Sequence, residues 1–272
     1  MVSEGRGVLN MNNVNKTLYI PLYGKAFVSK KQVILEDKKA EEIWAKEGFE
    51  LKGKSKSKYL AYYMGMRSKV FDLWLKEKMQ KDNDAIVLHI GCGMDSRVLR
   101  VGTMNHKWYD VDFPDVITER KRYYEETEDY KMLAQDARNT EWLSELSKDR
   151  SAIIVMEGIS MYFKVEELKV LLKGLREHFA GVSILMDCYT TFAAKASKYK
   201  NPINDVGVTV VYGLDDPQIL EDCTKISFVK EHEMTPINMI NELSGVERAI
   251  FKKVYSGKVS KKMYRIYEFC SV

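Results

Sequence analysis

Four short apolar runs follow one another through the middle of the chain, at residues 86–90, 107–112, 130–135 and 151–156. The first of them, IVLHI, is rich in β-branched and aliphatic residues and is typical of a strand buried on both faces of a sheet. Helical patterns separate the runs. Strands that alternate with helices predict an α/β fold with a doubly wound parallel sheet.

Further helices and strands are predicted on both sides of these four strands. Helices are expected at residues 35–45, 57–79, 115–126, 142–146, 165–179 and 238–254, with another that begins near Asp215. Further strands are expected at residues 182–188, 226–230 and 263–269. The sequence predicts an N-terminal helical cap, residues 1–80, and an α/β core, residues 81–272, that form one compact unit.

Residues 190–213 show no clear hydrophobic period. A long irregular segment in a compact domain is commonly a lid or a substrate loop. We therefore predict that this segment is a lid over a ligand site.

The longer helix of the cap carries one charged residue on an otherwise apolar stripe. The apolar members of the stripe are Leu60, Met64, Phe71 and Trp74. Arg67 occupies the position between them, and a buried guanidinium is costly unless it meets an anion. Arg67 is therefore expected to contact a carboxylate, and the spacing alone leaves open whether that carboxylate belongs to a ligand or to the protein.

The turn after the first apolar run is suited to close contact with a ligand. Gly91 and Gly93 allow unusual backbone angles and close approach, and the helix that follows offers free N–H groups to a polar ligand. The third glycine of a dinucleotide-binding pattern is replaced here by Ser96. This replacement argues against NAD or FAD as the ligand.

The next three predicted strands end at acidic residues. Asp112 ends the second strand, where a carboxylate can accept hydrogen bonds from both hydroxyls of a ribose. Asp136 follows the third strand and is placed to accept from an adenine amino group, and Glu157 follows the fourth. Because ligands of open α/β sheets bind at the carboxyl ends of the strands, these residues together predict a site for an adenosine-containing cofactor.

Four consecutive motifs resemble those of the leucine carboxyl methyltransferase family: HIGCGMDSR, WYDVDFPDV, AQDARNTEWL and IIVMEGISMYF. The resemblance extends over residues 16–187 and, more weakly, residues 212–216, and it is strongest to the bacterial branch that contains polyketide O-methyltransferases of the tetracenomycin type. It implies a Rossmann-like class I methyltransferase fold with a seven-stranded, mostly parallel sheet whose last strand is reversed. It also implies that the cofactor is S-adenosylmethionine and that its methyl group is transferred to an oxygen.

The same resemblance implies roles for individual residues. Arg67 and a basic residue near Lys25 would hold the carboxylate of the cofactor, with Lys16 as the alternative to Lys25. The backbone at Gly91 and Gly93 would lie alongside the methionine part of the cofactor.

Asp112 would bind the ribose, and Asp136 with the backbone of Ala137 would bind the adenine. Glu157 would lie near the amino group and the methyl donor, and Tyr162 would point toward the acceptor, although a packed core tyrosine is an equal alternative. Arg97 and Arg100 are expected to be structural.

Composition limits the remaining possibilities. The chain has 272 residues, 45% of them hydrophobic, and a net charge of +4. It has neither an apolar run long enough to span a membrane nor an N-terminal signal pattern, so we expect a cytoplasmic protein without a membrane partner. Its four cysteines are far apart and its four histidines are scattered, so no metal site is expected. The basic run at residues 52–58 is interpreted as a solvated loop, so no nucleic-acid partner is expected.

The identity of the acceptor stays open at the level of sequence. None of the four histidines is expected at the carboxyl end of a strand, and a carboxylate, unlike a phenol, needs no general base at neutral pH. This favours a carboxylate of a small molecule or a peptide as the acceptor. A phenol or hydroxyl O-methyltransferase is the alternative, and a cofactor-binding regulatory protein without activity is a third hypothesis. The protein would act as a monomer or a homodimer.

Overall fold

A seven-stranded sheet organises the computed structural model, which describes residues 18–47, 51, 53–197, 210–222 and 224–271. The strands are β1 (Ile86–Ile90), β2 (Trp108–Asp112), β3 (Tyr130–Ala134), β4 (Ala152–Met156), β5 (Val182–Tyr189), β6 (Ser227–His232) and β7 (Tyr264–Cys270). Their order across the sheet is β3-β2-β1-β4-β5-β7-β6. Strands β1 to β5 pair in parallel, and β7 runs antiparallel to both β5 and β6. The predicted Rossmann-like fold with a reversed last strand is confirmed.

Ten α-helices occur in the described residues. They are α1 (Tyr19–Lys30), α2 (Lys38–Glu47), α3 (Lys58–Lys81), α4 (Arg97–Val101), α5 (Pro114–Arg120), α6 (Val165–His178), α7 (Thr191–Ala196), α8 (Ile237–Asn241), α9 (Gly245–Tyr255) and α10 (Gly257–Met263). Short 3₁₀ helices occupy Gly53–Lys56, Glu141–Glu145, Ser160–Tyr162 and Pro217–Leu220.

Several predicted helices differ from the structure. The predicted helix at 238–254 is two helices, because Ser244 adopts an extended backbone and starts α9 anew. The helix predicted at 115–126 ends at Arg120, and those expected at 142–146 and after Asp215 are 3₁₀. Part of the segment at 190–213, which lacked a period, forms α7, because the Thr190 side chain accepts from the Ala193 N–H and caps it. Residues 198–209 lie outside the described part of the chain.

Helix α1 was not predicted, because Pro21 and Gly24 argue against a helix. Pro21 lies in the first turn, where a missing N–H costs nothing. Gly24 lets α1 approach α3 closely, since a Cβ atom built there would lie 2.8 Å from the Cβ of Met64. Gly65 does the same from α3, where a Cβ would lie 2.9 Å from Cγ2 of Val28. This close crossing fixes the backbone that carries Lys25 and Arg67.

Both faces of the sheet are covered. On β1, Val87 packs in a cluster with α1, α2 and α3, while Ile86, Leu88 and Ile90 pack in a second cluster with α6. Neighbouring residues of β1 face opposite sides of the sheet. Because both sides are covered, apolar residues occupy both faces of the strand, and its sequence is almost continuously apolar. The helices of the cap therefore share one hydrophobic cluster with the sheet.

Candidate cofactor and acceptor site

A cavity of about 960 Å³ opens at the carboxyl ends of the parallel strands. Residues that follow four of these strands line it: Gly91 after β1, Asp112 at the end of β2, Asp136 after β3 and Glu157 after β4. The strand order reverses between β1 and β4, and open α/β sheets bind ligands at such a switch point. The volume is at the upper end of the range for small-molecule sites, so it can hold a cofactor and an acceptor together.

Nine described residues were predicted to contact the cofactor or the acceptor, and all nine line this cavity: Lys25, Arg67, Gly91, Gly93, Asp112, Asp136, Ala137, Glu157 and Tyr162. They come from α1, α3, the ends of four strands and a 3₁₀ helix, and the fold brings them together. Their individual roles stay predictions. Lys16, the alternative to Lys25, lies outside the described residues.

Arg67 contacts two carboxylates of the protein itself. Its Nε donates to Oε1 of Glu157 at 3.0 Å, and a terminal nitrogen donates to Oδ2 of Asp187 at 2.9 Å. Although burial lowers it, the carboxylates of Asp187 and Glu157 raise the pKa of Arg67 above its ordinary value. The guanidinium therefore stays charged in the cavity wall, with two protein carboxylates as its partners.

Asp187, in β5, is a buried partner of Arg67 that the sequence did not predict. It is fully buried, pairs with Arg67, and accepts the Gly158 N–H at 2.5 Å. Burial raises the pKa of this carboxyl above its ordinary value, while Arg67 opposes the rise. One signal was available, because Asp187 is an acidic residue in a strand whose other members are almost all apolar.

The pair belongs to a larger buried ionic network. Four basic and five acidic side chains, none more than 9% exposed, are linked in it: Lys25, Arg67, Arg97 and Arg100 with Asp37, Asp72, Asp95, Glu157 and Asp187. With every member ionised, the network carries one negative charge in excess. A group bound beside it is therefore favoured if it carries positive charge.

Arg97 and Arg100 hold the network together, in agreement with their expected structural role. Arg100 binds Asp37, Asp72 and Asp95, and so ties α3 and the segment before α2 to the loop after β1. Arg97 joins this group to Glu157. Although burial opposes ionisation, Arg67, Arg97 and Lys25 lower the pKa of Glu157 to about 2.

The loop after β1 fits close contact with a bound group. Gly91 has a φ of +72°, and a Cβ built there would lie 2.0 Å from Cγ2 of Ile159. Gly158 has a φ of +77°, and a Cβ there would lie 3.4 Å from the Arg67 guanidinium. Both positions need the αL backbone that favours glycine, and Gly91 also leaves the space that Ile159 occupies. The chain therefore keeps backbone, rather than side chains, at the centre of the cavity wall.

Asp112 links the first two strand ends. Its carboxylate accepts the Gly93 N–H at 2.8 Å and the Phe113 N–H at 2.8 Å. Burial raises the pKa of Asp112 to about 6, although these two hydrogen bonds lower it. The carboxylate orders the loop and lines the cavity at the position expected for a ribose.

Replacing Asp112 with asparagine is expected to change how stability depends on pH. Because its folded pKa of about 6 exceeds the ordinary 3.8, Asp112 contributes stability that is complete below about pH 4 and is lost as pH rises through 6. Asparagine lacks this dependence. The free energy of unfolding of the variant, relative to the wild type, should therefore rise by about 1 to 3 kcal/mol from pH 4 to pH 7.

Urea unfolding at about pH 4.5, 6 and 7.5 measures this difference. Asp136→Asn is the matched control, because the side chain of Arg138 lowers the pKa of Asp136 and leaves little change in this window. A difference for Asp112→Asn that stays constant across the range would contradict the raised pKa.

The strand end expected to bind adenine is more open. Asp136 pairs with Arg138 at 2.7 Å, and the Arg138 guanidinium lies 5.6 Å from the centre of the Phe113 ring. Ala137 and Ile159 are partly buried and both pack against the apolar core under this end of the sheet. An apolar floor beside an acceptor carboxylate suits a flat heterocycle with an amino group.

The other part of the cavity is aromatic and apolar. Six tyrosines line it: Tyr63, Tyr162, Tyr189, Tyr212, Tyr255 and Tyr264. Tyr189 and Tyr264 meet edge to face at 4.4 Å, and Tyr63 hydrogen-bonds Ser260 at 3.0 Å. Helices α3, α7, α9 and α10 contribute to this part, of which only α7 belongs to the predicted lid. The lid at 190–213 stays a prediction.

His89 lines the cavity but is not placed to act as a base. Its Nε2 lies 3.0 Å from an Arg97 N–H and its Nδ1 lies 3.3 Å from Asp110. Burial and the charge of Arg97 lower the pKa of His89, so the ring is neutral and Nε2 already accepts a hydrogen bond. The other three histidines do not line the cavity and contact backbone carbonyls or a carboxylate elsewhere: His106, His178 and His232.

Within the described part of the chain, no cluster of three or more His, Cys, Asp or Glu side chains has an arrangement that would hold a metal ion. Of the helices it contains, none combines the length and the apolar character that crossing a bilayer requires.

The sequence model of one family, described as leucine carboxyl methyltransferase, matches residues 6–176. Among curated relatives, the tetracenomycin polyketide synthesis O-methyltransferase TcmP of Streptomyces glaucescens is 26% identical, over 78% of this chain and 80% of the relative. The S-adenosyl-L-methionine-dependent methyltransferase dpfgK of Gibberella zeae is 24% identical, over 79% of this chain and 80% of the relative.

Solved structures share the fold. A SAM-dependent methyltransferase from Anabaena variabilis superposes with a TM-score of 0.51 and 13% identity, over 75% of this chain and 83% of its own. The magnesium protoporphyrin IX methyltransferase of Synechocystis superposes with a TM-score of 0.50 and 12% identity, over 95% of this chain and 100% of its own.

Proposed function

The chain belongs to the leucine carboxyl methyltransferase family and is an S-adenosylmethionine-dependent methyltransferase, and from this premise we propose that it methylates a carboxylate oxygen of a small molecule or a peptide. The observation that carries the proposal is the pairing of the Glu157 carboxylate with two buried arginines, Arg67 and Arg97. The pKa of this carboxyl is lowered to about 2. A carboxylate so weakly basic does not deprotonate a phenol with a pKa near 10, whereas a carboxylate acceptor is already ionised.

The residues of the cavity wall would hold the cofactor through charge. S-adenosylmethionine supplies an electrophilic methyl group on a sulfonium centre. Lys25 and Arg67 would bind its carboxylate, and the excess negative charge of the buried network favours its amino and sulfonium groups. Asp112 would hold the ribose, and Asp136 with the backbone of Ala137 would hold the adenine.

The aromatic part of the cavity would hold the acceptor and exclude water. Tyr162 lines the cavity and would orient the acceptor oxygen, and the missing side chains at Gly91 and Gly158 would leave room for the reactants. Alignment of this kind accounts for much of the rate of a group transfer. An apolar, polyketide-like acceptor fits the tyrosine-rich wall, and one relative is named for polyketide synthesis.

Two measurements test the proposal. Calorimetric titration should show micromolar binding of S-adenosylmethionine and S-adenosylhomocysteine and no binding of NAD. Methyl-labelled cofactor should then be offered with paired aromatic acceptors that differ only in carrying a carboxylate or a phenol. We expect a product that mild base hydrolyses to labelled methanol, since esters hydrolyse and ethers do not.

The other outcomes are distinct. A base-stable methylated product would replace the carboxylate acceptor by a phenol or hydroxyl. Cofactor binding without turnover on either panel would favour a regulatory protein that binds the cofactor.

A further inference from the structure

The surface formed by α9 and α10 combines exposed apolar side chains in a regular row. Val246, Ile250 and Val254 recur at every fourth residue of α9 and are 75%, 40% and 48% exposed. Residues four apart lie on the same side of a helix, so these three form a stripe. Val259 on α10 is 45% exposed and adds to it. We call these four residues the α9 stripe.

Positive charge accompanies the stripe. Residues 248–265 contain seven basic residues and no acidic one. Four of the lysines are exposed and form no ion pair within the described residues: Lys252, Lys253, Lys258 and Lys262. The nearby carboxylate of Glu247 turns away from this surface and pairs with Lys31 and Lys58 of the cap.

The stripe is continuous with the aromatic part of the cavity. Val254 and Val259 belong to both, and Tyr255 and Met263 of the same helices also line the cavity. An apolar molecule lying against the stripe therefore has an apolar path into the site. An aqueous entrance would favour polar side chains at this position.

We propose that α9 and α10 dock on the surface of an anionic lipid membrane. The stripe would enter the boundary between headgroups and acyl chains, and the free lysines would contact the anionic headgroups. The path into the cavity favours a lipid layer over an acidic protein, because an apolar acceptor dissolved in lipid would reach the site without crossing water. Only this last step rests on the proposed function. The expectation that the protein has no membrane partner was based on the lack of a membrane-spanning segment in the sequence. Docking on a membrane surface does not require such a segment.

Co-sedimentation with vesicles tests the docking, using phosphatidylcholine alone and phosphatidylcholine with about one third phosphatidylglycerol. The wild type should bind the anionic vesicles, and raising the salt from about 0.1 M to about 0.5 M should release it. Replacing both Lys253 and Lys262, which lie one helical turn from Ile250 and Val259, with glutamine should weaken binding roughly 25-fold, since each lysine near such a surface contributes about fivefold. Val246→Ser with Ile250→Ser should weaken it at least about tenfold.

Matched controls keep these effects specific. Lys131→Gln with Lys148→Gln makes the same change in net charge at exposed lysines elsewhere, and Val170→Ser changes a 56% exposed valine of α6. Both control variants should bind like the wild type. If the α9 and α10 variants bound as tightly as the wild type, or if the wild type did not bind anionic vesicles, the proposal would be overturned. It would also fall if light scattering showed a dimer that Val246→Ser with Ile250→Ser dissociates, since a second copy of the chain would then cover the stripe.

Discussion

Replacing Arg67 with methionine is expected to lower the free energy of unfolding by about 3 to 5 kcal/mol. The substitution leaves the Asp187 carboxylate buried without the guanidinium that pairs with it, whereas Glu157 keeps its ion pair with Arg97. Removing one partner of a buried ion pair is costly because the remaining charge is neither paired nor solvated. Urea unfolding of the variant at neutral pH measures the loss.

An arginine at the surface provides the control for this loss. Arg138 also pairs with a carboxylate, Asp136, but its side chain is 48% exposed. Arg138→Met should cost less than about 1 kcal/mol, because water replaces an exposed partner. Adding Asp187→Asn to Arg67→Met should recover part of the stability, because it removes the buried charge that has lost its partner. Equal costs for Arg67→Met and Arg138→Met would refute the buried pairing.

The same variant tests the proposed role of Arg67 toward the cofactor. If Arg67 holds the carboxylate of S-adenosylmethionine, its loss should weaken binding by roughly ten- to a hundred-fold. 5′-Methylthioadenosine lacks the amino-acid part and should bind the folded variant and the wild type alike. Equal weakening of both ligands would mean that Arg67 only maintains the cavity wall.

Replacing Gly91 with alanine is expected to cost about 2 to 5 kcal/mol. The φ of +72° is strained for any residue with a Cβ, and the new atom would lie 2.0 Å from Cγ2 of Ile159. The loop must therefore shift, and the shift moves the backbone at the carboxyl end of β1. Thermal or urea unfolding measures the stability cost, and titration with S-adenosylmethionine measures the effect on the loop.

The backbone strain at Gly91 and the steric contact with Ile159 can be measured separately. Gly257 has a φ of +58° and no atom within 4 Å of an added Cβ, so Gly257→Ala should show the backbone strain alone, about 1 to 2 kcal/mol. Ile159→Ala should partly rescue Gly91→Ala in a double-mutant cycle, because it removes two of the three crowding atoms. A cost at Gly91 no larger than that at Gly257 would show that the contact with Ile159 is unimportant.

Local pattern was sufficient for the strands of the core and for the residues at their ends. Residues 86–90 were predicted as a strand and form β1, because a strand covered on both faces must be apolar along its whole length. Gly91, Asp112, Asp136 and Glu157 could then be grouped from sequence, since parallel strands that follow one another end at one edge of the sheet.

Local pattern was insufficient where short-range preference and packing disagree. Helix α1 contains a proline and a glycine, and it is helical because Gly24 fits against α3. The division of residues 238–254 into α8 and α9, and the existence of α10, likewise depend on the surface against which these segments pack. Asp187 was not predicted as a partner of Arg67, because the sequence does not show which basic side chain a buried acid in a strand will contact.

The sequence by itself determined the family, the Rossmann-like fold, the cofactor and the residues at the strand ends that line the cavity, because these depend on periodicity and on motifs that are contiguous in the chain. Only the tertiary structure decided which charges meet. Arg67 pairs with residues 90 and 120 positions away, and no local pattern encodes a contact of that separation. The tertiary structure also decided that two arginines surround Glu157 and lower its pKa, and that the apolar stripe of α9 is exposed, because both depend on which side chains lie next to each other in the fold.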